Sequence, residues 1–571
     1  MYQQNYEDEE FVGNIDVVAD SYAHVDELND GEMEDDELLL QAQAGVQTIP
    51  EQVRRFLGFL HRNMKSGNVN DLSYNYEQQF AHLSDKFYAK AAWPEPQYVA
   101  ALVGDEGLFL TLYRELYYRH IYARLHPSLE TRFRSFDNYC DLFNYILNSD
   151  GPIDLELPRQ WLWDIVDEFI YQFQSFCTHR SRVAKRLPEE LALLKENPHV
   201  WNTYSVLNVL YSLIQKSNIT QQLVVSQQGG DVIEAAGQFG VRPLYKMLGY
   251  FSIVGLVRVH CMLGDYTLAL QTLENIELSN SRALFTRVTA CHVTVYYYAG
   301  FAYLMMGRYA DAIQTFAHIL TYVSRTMQYQ KKTSHFDAVN KKADQMYALL
   351  AIAVALVPAR VDDLIHNTMR EKFGDQHHKM QRGGEEAIEV MSELFLFACP
   401  KFIMPNPPNY DDVEAAAAIM EPPNYQLKTF LREARLQLVV PTLRSFLKLY
   451  TTMGLDRLSS FLEMDAAELR NQLIVYKQRS RQIKYNGGAD LLSGEYASIT
   501  DLDFALQEDM IFIAESRVGR RYADWFIRNT NKVQDLINTL ENAQKAVIAN
   551  AGKPAAADEQ STAASAAAVE A

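Results

Sequence analysis

Positive charge is missing from the first fifty residues. Between Met1 and Pro50 there are fourteen carboxylates and no Lys or Arg. They supply −14 of the net charge of −19, leaving −5 for the rest of the 571-residue chain. Such a segment repels itself and holds too little apolar surface to offset its ordering entropy. Residues 1–50 are therefore expected to be a disordered acidic tail, solubilising before anything else. Cysteine is scarce as well. Cys140, Cys177, Cys261, Cys291 and Cys399 are widely spaced, odd in number and form no CxxC. That suits buried free thiols in a reducing compartment better than a disulfide framework. No basic-then-apolar opening marks a signal peptide. The longest apolar run, Ala348–Val357, is shorter than the roughly 20 residues a bilayer span needs. The expectation is a soluble protein, cytosolic or nuclear, with no membrane partner.

Signatures of catalysis are missing too. There is no GxxxxGK[ST], so no phosphate-cradling loop, and no GxSxG or GxGxxG. His377-His378 lies between Gly374 and Gly383 and is expected in a loop. Cys177 with His179, and Cys291 with His292, lack further ligands at metal-site spacing. No HxH followed by Ser and Asp, the ligand set of metal-dependent isopeptidases, occurs. The chain is therefore not expected to be an enzyme, with no catalytic, metal or cofactor-binding residues, no cofactor and no small-molecule substrate.

What the chain has in abundance is apolar (48%) and aromatic (12%) residues, enough for a large folded core. Helical spacing begins at Val53, Phe56, Leu57 and Leu60 and persists to about Phe397. Leu162, Ile165, Val166, Phe169, Phe173 and Phe176 show it, with Asp164, Asp167 and Gln174 between them. Leu108–Leu147 interleaves tyrosines with Arg114, Arg119, Arg124, Arg132 and Arg134. Aromatics at that spacing read as core, with the arginines paired to carboxylates rather than to nucleic acid.

An internal match gives the architecture. Leu263-Gly264-Asp265-Tyr266 corresponds to Met306-Gly307-Arg308-Tyr309, and Ala269, Leu270, Leu273 and Ile276 to Ala312, Ile313, Phe316 and Ile319. Each copy reads as helix, Gly-containing turn, helix. The unit is tetratricopeptide-like, at a longer period, and implies a helical solenoid. Six prolines between Pro400 and Pro423 should interrupt regular structure. Three helices are expected next: Arg444–Tyr450, Leu455–Phe461, and one running from an Asp465…Glu468 capping pair to about Arg481. A hairpin should follow, Leu502–Leu506 and Met510–Ala514 about Gln507-Glu508-Asp509. Three helices and a hairpin make a winged helix. Asp465 and Glu468 would repel DNA from the end of the recognition helix that meets base edges, so sequence-specific DNA reading is not expected.

The last expected helix spans about Gly519–Ile548, a length of about 45 Å. It carries Tyr522, Trp525, Phe526, Val533, Leu536, Ile537, Leu540, Ala543 and Val547 every three or four residues, with Asp524 and Arg528 on its polar side. Tyr522, Trp525 and Phe526 are expected to pack on the wing. Val533, Leu536, Ile537, Leu540 and Val547 form a candidate interface for partner helices. Lys477, Arg479, Arg481, Lys484, Arg520 and Arg521 form a candidate patch for RNA or an acidic partner. Residues 551–571 read as an alanine-rich disordered tail.

A helical solenoid capped by a winged helix is the layout of the PCI domain, shared by the proteasome lid, the signalosome and initiation factor 3. Segments Leu112–Ala123, Trp161–Asp164 through Gln174–Phe176, Tyr245–Phe251, Gly300–Met306 and Arg444–Met453 resemble the subunit L family of eukaryotic translation initiation factor 3. The resemblance implies a mainly α protein. Its parts would be a helical repeat region at 51–315, a PCI domain at 316–528 with the winged helix at about 442–517, and the assembly helix at 519–548. It also implies a non-catalytic scaffold subunit, partnered by the factor's other subunits and the small ribosomal subunit, that supports messenger RNA recruitment. A subunit of the proteasome lid or signalosome is the alternative.

Overall fold

The computed structural model describes residues 49–551, except 105–106, 277, 279–282, 331–335, 358, 439, 489, 499–501 and 516. The acidic segment to residue 48 and the alanine-rich end from 552 lie outside the described residues. The chain forms two compact units, residues 1–172 and 173–571.

In the first unit α1 (Glu51–Ser66) buries Val53, Phe56, Leu57 and Leu60, and Gly67, at φ 66°, ends it in the left-handed conformation. α2 (Val69–Tyr74) continues through a π-helical turn (Asn75–Gln79) into α3 (Phe80–Phe87), followed by α4 (Pro96–Val103). α5 (Gly107–Arg124) packs on α6 (Leu129–Leu147), whose first turn is capped by Ser128 Oγ accepting from Thr131 N at 3.2 Å. α7 (Arg159–Ser181) contains the boundary between units.

The arginines behave as the sequence suggests. Arg119 pairs with Glu115, lies 3.6 Å from Asp164, and donates to the Tyr76 hydroxyl. Tyr76 donates to Asp164 and stacks on Trp161, which donates to Glu115 Oε2 at 3.1 Å. A buried charge is tolerable only in such company. Burial still pushes the Glu115 carboxyl above its ordinary pKa, against Arg119 and Trp161. Glu168 is pushed up to about 7, again by burial and against Arg119.

In the second unit the helices are α8 (Pro188–Glu196), α9 (Thr203–Ser217), α10 (Ile219–Gln228), α11 (Val232–Gly240), α12 (Pro243–Leu263) and α13 (Tyr266–Gln271). Then come α14 (Thr289–Met305), α15 (Tyr309–Gln330), α16 (Phe336–Leu356), α17 (Asp363–Arg382) and α18 (Glu385–Ala398). α12 is long and apolar enough to cross a bilayer, but 83% of its most apolar window is buried inside this fold.

The repeat is real at the level of hydrogen bonds. Gly264 N donates to Cys261 O and Asp265 N to His260 O; Gly307 N donates to Leu304 O and Arg308 N to Tyr303 O. Both glycines have positive φ, 84° and 74°. These are paired Schellman turns. Ala269 and Ala312 are fully buried where the second helix of each copy meets the first. The copies differ in length, since α13 has 6 residues and α15 has 22.

The proline-rich stretch is irregular from Cys399 to Asp412, and α19 (Val413–Ala418) is a short helix within it. It is a strap bound to the helices: Ile403 N donates to Met262 O at 3.1 Å, and Thr203 Oγ1 to Pro405 O at 2.9 Å. Pro422 and Pro423 open α20 (Pro422–Leu438), a position that suits proline.

The winged helix follows as α21 (Val440–Leu447), β1 (Thr452–Gly454), α22 (Leu455–Leu462), α23 (Ala466–Arg479), β2 (Arg481–Lys484), β3 (Glu495–Ser498), β4 (Leu502–Gln507) and β5 (Met510–Glu515). One antiparallel sheet has the order β1-β5-β4, with Gln507 opposite Met510 across the expected turn. Leu443, Leu447, Leu458, Leu469, Leu473, Phe504 and Ile511 make its core. Asp465 caps α23 by accepting from Ala467 N, while Glu468 accepts from Gln472 instead of closing a capping box. α23 stops at Arg479 because Arg481 enters the β2–β3 hairpin, which sequence spacing does not announce. α24 (Arg517–Ala551) completes the described chain.

Candidate assembly and contact surfaces

Arg308 is the joint between the solenoid and the winged helix. Its guanidinium is buried, 2.7 Å from Asp311, and donates to the carbonyls of Leu491, Leu492 and Ser493 in the loop between β2 and β3. Asp311 accepts from Tyr485 N at 3.0 Å, and Tyr303 OH donates to Leu491 O at 2.9 Å. Those carbonyls turn inward with no strand to pair them, and a buried cation satisfies three at once. The first copy of the turn is used differently. Tyr266 OH donates to Gln426 Oε1 of α20 at 2.8 Å. Sequence reasoning missed this joint. The available signal was the change from Asp265 to Arg308 at matched positions.

On α24, Val533, Leu536, Ile537 and Leu540 fall on one face, and Leu536 and Leu540 are 61% and 68% exposed. Trp525 and Phe526 are also exposed and meet edge to face, centroids 5.1 Å apart. The expectation that they pack on the wing is therefore corrected: they cover each other. The side chains of Tyr522, Asp524 and Val547 lie outside the described residues.

The candidate basic patch divides. Lys477 Nζ donates to Phe504 O and lies 3.6 Å from Asp503, and Arg479 pairs with Glu433 of α20 at 2.6 Å. Lys477 is thus held within the winged helix, while Arg479 ties the end of α23 to α20. Arg481 and Lys484 are exposed on β2, Lys484 at the rim of a 510 Å³ cavity with Tyr485, Glu495 and Gln314. The side chains of Arg520 and Arg521 lie outside the described residues.

His377 and His378 lie within α17, not in a loop, and His377 receives a hydrogen bond from Gln381 one turn on. Burial lowers the pKa of His377, and that of His292 to about 4, so both are held neutral. It raises the thiols of Cys140 and Cys177 to about 11, away from the thiolate. Among the described residues no three His, Cys, Asp or Glu side chains gather as metal ligands.

Relatives give this architecture its family. Residues 131–533 match the family model described as "Paf67: RNA polymerase I-associated factor PAF67". Eukaryotic translation initiation factor 3 subunit L of Mycosarcoma maydis is 53% identical over 499 residues, covering 86% of this chain and 74% of the relative. The subunit L of Nematostella vectensis is 45% identical over 527 residues, 91% of this chain and 99% of the relative. That of Homo sapiens is 47% identical over 529 residues, 87% and 92%. The chain belongs to the eukaryotic translation initiation factor 3 subunit L family. The family-like segments lie in α5, α7, α12, α14 and from α21 into β1, and the first four contribute buried aromatics such as Tyr113, Trp161, Phe251 and Phe301. Leu536, Ile537 and Leu540 fall beyond the family-model match, so their argument rests on their geometry.

Proposed function

We propose that this chain is a non-catalytic, cytoplasmic scaffold subunit of the initiation factor 3 complex. In it, α24 docks against helices of neighbouring subunits, and the assembled factor supports small-ribosomal-subunit binding and messenger RNA recruitment. The proposed organisation is a helical repeat region at 51–315, a PCI domain at 316–528 ending in the winged helix, and the assembly helix.

The observation that carries the reading is the exposed Val533–Leu540 face. α24 has 35 residues, about 52 Å of helix at 1.5 Å per residue. Large apolar side chains exposed along one helical face lose the stabilisation that a partner helix supplies, about 1.5–3 kcal/mol for each one fully buried. A parallel row on a second helix would bury them by interdigitation. The test is co-purification of tagged full-length chain and of a chain truncated after Thr530 from cells that make the factor. The full chain should recover initiation factor subunits, and the truncation should lose them while its solenoid melts as before. Normal incorporation of the truncation would remove α24 from the assembly. Recovery of lid or signalosome subunits would overturn the whole reading.

A further inference from the structure

α20 presents a second surface, of opposite character to α24. Its inward face carries Phe430, Ala434 and Gln437, all buried, and Glu433, which is committed to Arg479. Its outward arc carries Lys428, Arg432 and Arg435, recurring at i, i+4 and i+7. All three are exposed. Lys428 and Arg435 have no ion-pair partner among the described residues, and Arg432 has only its neighbour Glu433, at 3.7 Å. The three cations are spaced by about 6 and 4.5 Å along the helix axis. Tyr425, 60% exposed, lies on the same arc one turn before Lys428. The Arg479–Glu433 pair joins α20 to the end of α23, and exposed Arg481 follows two residues on.

We propose that this arc of α20, Tyr425-Lys428-Arg432-Arg435, is a binding surface for single-stranded RNA. Like charge at this density on one face is unfavourable unless an anion lies along it. A row of cations at helical pitch matches a chain of phosphates, and an exposed ring beside it offers a stacking platform for a base. An acidic protein segment would use the cations but not the ring. The arc replaces Lys477 and Arg479, which are occupied internally, as the basic surface of this region. The choice of RNA over DNA rests on the proposed role in translation. The test uses the free chain, so it can fail while membership of the complex stands, and the reverse.

The experiment is a fluorescence-anisotropy titration of the full-length chain with a labelled 20-nucleotide uridine RNA across a series of salt concentrations. Lys428→Glu/Arg432→Glu/Arg435→Glu should weaken binding at least tenfold. It should also flatten the dependence of log K on log salt by about 2, from roughly 0.7 per phosphate for a single strand. Lys428→Gln/Arg432→Gln/Arg435→Gln should show the same flattening, so an unfolded charge-reversal variant does not decide the matter. Tyr425→Ala should lose about tenfold and Tyr425→Phe should restore it, because the ring and not the hydroxyl stacks. A control triple, Lys90→Glu/Arg182→Glu/Arg360→Glu, changes net charge equally at scattered exposed sites and should lose far less. Unchanged affinity and slope in the glutamine triple would overturn the proposal. So would an equal loss in the control. Loss of binding to a poly-glutamate peptide with RNA binding intact would overturn it in favour of an acidic protein partner.

Discussion

Helices α12 and α24 both carry a high density of large apolar residues, and the fold treats them in opposite ways. In α12 they occur all around the axis: Leu244, Tyr245, Leu248, Tyr250, Phe251, Val254 and Leu256 are buried, and α9 and α14 pack against it. Gly249 lets α9 approach so closely that a Cβ there would lie 1.9 Å from Ser217 Oγ. In α24 Val533, Leu536, Ile537 and Leu540 keep to one face, and Lys532, Asp535, Glu541 and Lys545 occupy others. A helix apolar all round must be enclosed by its own chain, whereas a striped helix can leave one seam for another molecule. The difference separates residues that maintain the fold from residues available for assembly.

Substitutions can break that separation. The largest effect is expected in the enclosed region at Arg308→Ala, which strands Asp311 and three carbonyls of the β2–β3 loop. Equilibrium denaturation should show a loss of about 3–5 kcal/mol, the usual cost of removing one member of a buried pair. A loss under 1 kcal/mol would mean that the winged helix does not depend on this joint. Gly300→Ala comes next. Its Cβ would lie 2.5 Å from Phe316 Cε1, between α14 and α15. Forcing that ring aside should cost about 1–3 kcal/mol. A neutral result would show that the two helices can part without penalty.

Enclosure also reaches ionisable groups, which gives a pH test of intermediate size. Glu168 holds its proton more tightly folded than unfolded, since burial lifts its pKa to about 7. Its contribution to stability is therefore present in mild acid and lost as pH rises through about 7. Glu168→Gln should lessen the fall in melting temperature between pH 5 and pH 8. An identical pH profile in the variant would place the titration elsewhere.

The smallest effect on stability should come from α24. Leu536→Asp/Ile537→Asp should leave the melting transition within about 0.5 kcal/mol of the parent, as for other exposed sites. The same variant should fail to co-purify with partner subunits. If it instead melts early, the stripe belongs to the fold and the contrast with α12 collapses.

Much of this was legible before any coordinates. Periodicity located the helices, and the Leu263–Tyr266 and Met306–Tyr309 match located two turns that share a hydrogen-bond pattern. Alternation in Leu502–Leu506 located a strand. β1 has three residues, too few for a period, and exists because β5 offers it an edge to pair with. β2 and β3 are separated by a glycine-containing loop whose carbonyls Arg308 collects from 183 residues away or more. Nothing local encodes that.

The sequence by itself determined a mainly helical chain, the repeated turn, the winged helix and the family. These follow from backbone propensity and the spacing of apolar side chains, which act over a few residues. The tertiary structure decided which of several similar basic residues are spent on internal partners, as Lys477 and Arg479 are, and which remain exposed, as Lys428 and Arg435 do. It likewise decided that Trp525 and Phe526 are exposed instead of covering the wing. Those outcomes depend on which distant carboxylate, carbonyl or helix arrives within a few ångströms, and charge pairing and burial are properties of that three-dimensional proximity rather than of the order of residues along the chain.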